Sequence, residues 1–232
     1  MFEAVLLSGG KGTRLGGDIP KQYLKVSGKM IIEYSMETLL DCELVDTLVI
    51  VADSSWEKEL LPVIKSKRHS EKFLGFAKPG ETRQMSIYNS LLKVKVTASD
   101  SDMVFIHDAA RPRLTDDLIK RMAEKIHESK DCDGILPVLP MKDTVYMVEG
   151  SGRLSALLDR KSVVAGQAPE LFLFGKYLSA NEKLIKDGRM KEINGSTEAA
   201  FLAGMNVITI PGDEGNFKIT TIDDLERFRA MM

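Results

Sequence analysis

The sequence predicts a doubly wound, mostly parallel α/β sheet, and three observations predict it. Short apolar runs alternate with amphipathic helical patterns from the first residue onward. The runs are continuously apolar instead of alternating with polar residues, as strands buried on both faces are, so helices must cover the sheet on each side. The stretches densest in glycine and charge, "SGGKGTR", "KPGETR" and "HDAARP", each follow directly on such a run. In sheets of this kind a ligand sits beyond the carboxyl ends of the strands, where the strand order reverses. All three stretches therefore fit one crevice.

Each element has its own justification. "EAVLLS" is the first strand, and after the glycine-rich turn "KMIIEYSMETLLD" places Ile32, Met36, Leu39 and Leu40 at helical spacing. "TLVIVAD" leads to the helix "WEKELLPVIKS". "FLGFAKPG" leads to "TRQMSIYNSLLK", where Met85, Tyr88, Leu91 and Leu92 form the expected inward stripe. "MVFIHDAARP" precedes "TDDLIKRMAEKIHES", with Leu118, Ile119, Met122 and Ile126 on one face. From Asp143 to Asp159 the alternation breaks, because "TVYMVEGSGRLSALLD" reads as two strands around a Gly-Ser-Gly turn. A lone two-stranded hairpin is marginal in water, so this arm is expected to pack on something, a second copy of the chain being one candidate. The chain closes with "NVITIPG", "NFKIT" and a last helix opened by Thr221, whose spacing to Asp224 fits a capping box. The expected organisation is a single Rossmann-like domain over residues 1–232 with a hairpin arm at about 143–160.

Composition narrows the partners. With 32 basic and 34 acidic residues the net charge is −2, which gives no overall field for attracting nucleic acid or an anionic membrane. Neither a signal-peptide pattern nor an apolar run of membrane-spanning length is visible, and Cys42 and Cys132 are isolated, so a cytoplasmic protein with two free thiols is expected.

The turn "LLSGGKGTRLGGDIPKQYL" is the most informative stretch. Gly9, Gly10 and Gly12 let the backbone approach an anion closely, with successive N–H groups available to it. It is not a Walker A loop, since Lys11 is followed by Gly12, and it is not a dinucleotide fingerprint, since Leu15 occupies the third glycine position. The basic residues Lys11, Arg14, Lys21 and Lys25 accompany it, and the loop and Pro20 fix the approach of Arg14 and Lys21, as a highly charged phosphate chain requires.

Taken with "GETRQMSIYNSL", "VFIHDAARP", "KDT", "DR" before "GQAPELF", and "NFKITTIDDL", this loop resembles the cytidylyltransferases that act on methylerythritol 4-phosphate and on ribitol 5-phosphate. The matching stretches lie in the family's order over nearly the whole chain. The resemblance implies attack of a polyol phosphate on the α-phosphorus of CTP, with release of pyrophosphate. It implies a catalytic set of Lys21, Arg14, Lys218 and Arg160, with Lys21 contributing most. Ser8, Gly9, Gly10 and Gly12 would cradle the nucleotide, and Gly80, Glu81, Arg83 and Ser86 would read its base. Asp108 would bind both substrate and a divalent ion, Mg²⁺ by its preference for oxygen ligands. Arg111, Thr144, Arg160 and Lys218 would hold the acceptor phosphate. Because Thr144 and Arg160 stand at the feet of the hairpin, the resemblance also implies a homodimer in which the partner completes each site. The attacking phosphate is already ionised at neutral pH, so His107 has no proton to remove and is read as structural, like His69 and His127.

The chain departs from the family pattern at three places. Glu81 replaces the usual Asp. Ala168-Pro169-Glu170 stands where Thr-Pro-Gln is usual, and Asn194-Gly195 stands for Thr-Asp, with Ser196, Thr197 and Glu198 following directly. The last two fall on the acceptor side. The first choice of acceptor is methylerythritol 4-phosphate and the second is ribitol 5-phosphate, while a catalytically silent nucleotide-binding homologue is the reading from another class.

Overall fold

A computed structural model describes residues 1–10 and 19–232. Lys11, Gly12 and Arg14 lie outside the described residues.

In chain order the structure runs β1 (Phe2–Leu7), β2 (Lys25–Val26), β3 (Lys29–Met30), α1 (Ile31–Asp41), β4 (Thr47–Val51), α2 (Ser54–Lys65), β5 (Phe73–Ala77) and α3 (Arg83–Val94). It continues through β6 (Met103–Asp108), α4 (Asp116–Glu128), β7 (Gly134–Pro140), β8 (Val145–Val148), β9 (Leu154–Leu158), β10 (Val164–Gly166) and β11 (Glu170–Leu173). The last elements are α5 (Phe174–Lys186), α6 (Ser196–Leu202), β12 (Val207–Pro211) and α7 (Ile222–Arg229).

β1 lies between β4 and β6 and is parallel to both, and β5 extends the sheet beside β4. The chain thus builds outward from β1 on one side, then crosses back to add β6 on the other. The reversal falls at β1, which is where such a sheet leaves a crevice. β11 runs antiparallel to β6 with Glu170 opposite Ile106, so the start of β11 stands at the carboxyl end of β6. β7 pairs antiparallel with β10 and β11 and parallel with β12. The expected mostly parallel α/β sheet is what forms.

Alternation of side chains across the strands divides the core in two. Ala4, Leu6, Leu48, Ile50 and Phe105 join one buried cluster with residues of α1, α2 and α4. Val5, Val49, Val51, Val104 and Ile106 join the other with residues of α3 and α5. Both faces are therefore apolar, which explains why the strands read as unbroken hydrophobic runs. The stripes read from sequence on α1 and α4 are buried. On α3 Leu91 is buried and Met85 and Tyr88 pack against the core as expected, joined by Ile87 and Val94 and by the polar Gln84 and Ser90, while Leu92 is exposed. Gln84 can turn inward because its amide donates to Tyr177 and Asn181 (3.1 and 2.6 Å), so a polar residue occupies a core position.

β8 and β9 pair antiparallel, Tyr146 opposite Leu157, as the turn signal predicts. Tyr146, Val148, Leu154 and Leu157 are exposed on this hairpin. α7 begins with the expected capping box between Thr221 and Asp224. Cys42 and Cys132 are buried free thiols.

Candidate active site

The carboxyl ends of β1, β5 and β6 open onto a cavity of about 610 Å³. Its lining includes Ser8, Gly9, Gly10 and Lys21 from the first turn, Gly80, Glu81, Arg83 and Ser86 after β5, and Asp108 and Lys218. Three stretches that are far apart in sequence meet there, as their positions after strands predict.

The first wall is held by side chains that bond to the backbone around it. Ser8 donates through both its N–H and its hydroxyl to the Val51 carbonyl (3.0 and 2.6 Å), tying the end of β1 to β4. The Gln22 amide donates to the carbonyls of Ser8 and Gly10 (2.6 and 2.7 Å), and Tyr23 adds a bond to Ser8. Gln22 and Tyr23 belong to one short 3-10 turn with Lys21, so the bonds that shape the loop also place the buried Lys21 at the cavity. Gly9 is required by close approach, since a Cβ there would stand 2.7 Å from the Cβ of Pro79.

The second wall is the start of α3. Thr82 caps the helix by accepting from Met85 N–H at 3.1 Å. Ser86 accepts from Gly80 N–H (2.9 Å) and donates to the Thr82 carbonyl (3.0 Å), which folds the turn back on the helix. A Cβ at Gly80 would lie 2.4 Å from that of Met85. Glu81 is exposed at the rim and pairs with Lys191 at 2.8 Å.

Asp108 ends β6 as the shared counter-charge. Its Oδ1 accepts from Arg83 Nε and Nη2 (3.2 and 3.0 Å), its Oδ2 accepts from Lys218 (2.9 Å), and Arg111 Nε lies 3.8 Å away. Burial alone would raise this carboxyl, but Arg83, Lys218 and Arg111 outweigh it and hold Asp108 far below the usual carboxylate range. Arg83 also donates to Ser196 (2.8 Å) and lies 3.6 Å from Glu170. Arg83, which the resemblance assigns to base recognition, lines the cavity and engages Asp108, Ser196 and Glu170 through its guanidinium. Burial pushes the His107 imidazole down to about 4, so it is neutral at pH 7. Its Nε2 stands 2.9 Å from the Arg111 carbonyl, which assigns the proton to Nε2 and a structural role to the ring.

Arg111 donates to the Asn216 carbonyl at 2.8 Å beside this cluster. Thr144 and Arg160 do not line the cavity. Both are exposed at the hairpin feet, where Arg160 donates to the Lys142 carbonyl (2.9 Å). Sequence reasoning missed Gln22, Thr82, Gln167 and Asn216 as parts of the site's frame, while Ser196, noted beside Asn194-Gly195, stands in it against Arg83. For Gln22 a signal existed, its place inside "PKQYL".

A family model for 2-C-methyl-D-erythritol 4-phosphate cytidylyltransferase matches residues 2–232. The chain belongs to this family. A 2-C-methyl-D-erythritol 4-phosphate cytidylyltransferase of Clostridium botulinum is 31% identical, over 97% of this chain and 96% of the relative. A ribitol-5-phosphate cytidylyltransferase of Streptococcus agalactiae is 30% identical, over 98% and 93%. The crystal structure of the 2-C-methyl-D-erythritol 4-phosphate cytidylyltransferase of Francisella tularensis superposes with a TM-score of 0.83 at 28% identity, covering 100% of this chain and 99% of that one. Membership of the cytidylyltransferase family makes the protein a nucleotidyltransferase that uses CTP. Among the described residues no helix is long and apolar enough to cross a membrane.

Proposed function

We propose that this cytidylyltransferase transfers CMP from CTP to 2-C-methyl-D-erythritol 4-phosphate. A phosphate oxygen of the acceptor attacks the α-phosphorus, the bond to the bridging oxygen of the β-phosphate breaks, and pyrophosphate leaves. The observation that carries this reading is the cavity lining, where Lys21 joins Asp108 and its partners Arg83 and Lys218 beside the glycine turn. A displacement between two anions needs positioning and positive charge more than covalent chemistry from the protein.

In this reading Lys21 and Arg14 neutralise the triphosphate, and Lys21 stabilises the charge that builds on the five-coordinate phosphorus. Ser8, Gly9, Gly10 and Gly12 approach the phosphates, while Gly80, Glu81, Arg83 and Ser86 face the base. Arg111 and Lys218 hold the acceptor phosphate. Thr144 and Arg160 reach that phosphate from the hairpin of a second copy, whose exposed Tyr146, Val148, Leu154 and Leu157 need covering. This reading places the protein in the cytoplasm.

Asp108 suits a divalent ion. Three hydrogen bonds occupy its two oxygens, a carboxylate has about four lone-pair sites, and Mg²⁺ commonly takes one or two carboxylates with substrate phosphates completing its shell. When bound, the ion supplies positive charge to the phosphate oxygens.

A second reading, ribitol 5-phosphate as acceptor, is favoured by the streptococcal relative and by Ala168, which lacks the hydroxyl usual at that position. Pyrophosphate release from CTP with each polyol phosphate in turn tests both. The higher kcat/KM names the acceptor, and a preference for UTP would overturn the cytidylyl reading for this chain.

A further inference from the structure

The segment that carries Lys218 has no regular structure. After β12 the chain runs from Gly212 to Thr220 without a ladder or a helix, so its buried carbonyls need donors from elsewhere. Two buried amides supply them. Gln167 is 3% exposed and Asn216 is fully buried, and neither lines the cavity.

The Gln167 side chain grips the Asp213 peptide at both ends. Its Nε2 donates to the Asp213 carbonyl (2.8 Å), and its Oε1 accepts from the Asp213 N–H (3.0 Å). The same Nε2 lies 3.3 Å from the Asn216 carbonyl, which also accepts from Arg111 Nη1 at 2.8 Å. Asn216 returns the contact by donating its Nδ2 to the Ala168 carbonyl (2.9 Å), next to Gln167 in the chain. Gln167 is itself anchored, its N–H donating to the Pro137 carbonyl of β7 at 2.8 Å. Two residues past Asn216, Lys218 reaches Asp108, and Ile219 N–H donates to the Ala110 carbonyl (2.8 Å). A chain of bonds therefore leads from the sheet through two amides to one cation and through one shared carbonyl to another.

We infer that Gln167 and Asn216 are positioning residues that seat Lys218 and Arg111 on the acceptor side of the cavity. The inference rests on the proposed role of those two cations toward the acceptor phosphate. Gln167 is suited to the task because an amide is both donor and acceptor, and the Asp213 peptide demands both. A carboxylate in its place keeps the acceptor and turns the donor into a second acceptor facing two carbonyls.

The test compares steady-state kinetics of Gln167→Glu, Gln167→Met and Lys218→Ala with wild type, varying CTP and the polyol phosphate separately. Gln167→Met keeps the bulk without charge and serves if Gln167→Glu does not fold. Either Gln167 variant is expected to lose at least tenfold in kcat/KM for the acceptor while the KM for CTP changes less than about twofold. In combination with Lys218→Ala the losses should multiply less than fully, because both act through Lys218 and only the share carried by Arg111 remains. An impaired Lys218→Ala alongside a fully active Gln167→Met overturns the inference alone, as does an equal loss on both substrates. A fully active Lys218→Ala overturns the acceptor-side reading on which it rests.

Discussion

The hydroxyl of Ser196 donates to the carboxylate of Glu170, joining two places where the sequence departs from the family pattern. The same hydroxyl accepts from Arg83 Nη1 at 2.8 Å, so the pair braces the guanidinium that holds Asp108. Burial raises the Glu170 carboxyl, opposed by the charge of Arg83. Removing one partner of a buried hydrogen bond costs the desolvation of what remains, about 1–3 kcal/mol. Ser196→Ala should therefore lower stability by about that amount in denaturant titration. Because Glu170→Gln weakens the same contact, the double variant should lose less than the sum of the two.

Lys21 should dominate catalysis. It is buried at the cavity beside Gln22 and Tyr23, so a short turn already fixed by other bonds sets its position. Removing one preorganised donor from a site of developing charge typically costs about 3–4 kcal/mol, or roughly 100- to 1,000-fold in rate. Lys21→Ala should lose turnover on that order with an unchanged far-ultraviolet circular dichroism spectrum. Near wild-type turnover would remove Lys21 from the mechanism.

What could be read from the chain depended on whether a feature is local. Asp108 was legible because it ends an apolar strand, and Lys21 because it stands in a distinctive motif. The inward face of α3 is legible only in part, because Gln84 and Ser90 are polar by composition yet buried by their partners. The Glu170–Ser196 contact spans 26 residues and exists because β11 runs antiparallel to β6, a reversal that no periodicity announces. Gln167 and Asn216 are 49 residues apart, and nothing in an isolated amide marks it as buried.

Asp108 should govern the metal requirement. Its two oxygens accept from Arg83 and Lys218 at 2.9–3.2 Å, so Asp108→Asn removes the counter-charge of both cations together with the proposed ligand. Chelation should abolish wild-type pyrophosphate release and Mg²⁺ should restore it. The asparagine variant should need at least tenfold more Mg²⁺ for half-maximal rate, whereas an unshifted titration would remove Asp108 as a ligand.

Gly80 tests the fit of the second wall. A Cβ there would meet Met85 at 2.4 Å and its backbone carbonyl carbon at 2.8 Å, so the turn must shift to accept one. Overpacking of this kind typically costs about 1–3 kcal/mol. The shift also pulls Gly80 N–H from Ser86, the contact that shapes the proposed base-binding edge. Gly80→Ala should raise the KM for CTP more than that for the acceptor, and equal changes would argue against this edge as the base site.

Asp224 links the fold to pH. Burial works to raise its carboxyl, but the backbone and hydroxyl bonds from Thr220 and Thr221 prevail and hold it at about 2. Three of those contacts converge on Oδ2 at 2.8 Å, at the start of α7. An aspartate in the unfolded chain titrates near about 3.9. The folded value is the lower one, so the stabilisation is complete above about pH 4 and fades as the pH falls towards about 2. Allowing for solvent screening at this partly exposed site, it amounts to about 1 kcal/mol, in the range of other helix N-terminal caps. Asp224→Asn should thus be less stable than wild type by about that much at neutral pH in urea titrations. The gap should narrow steadily as the pH is lowered from 4, because protonation gives the wild-type carboxyl the same neutral charge as the amide. A gap that stays constant across this window would assign the cap's strength to geometry alone, independent of the charge on Asp224.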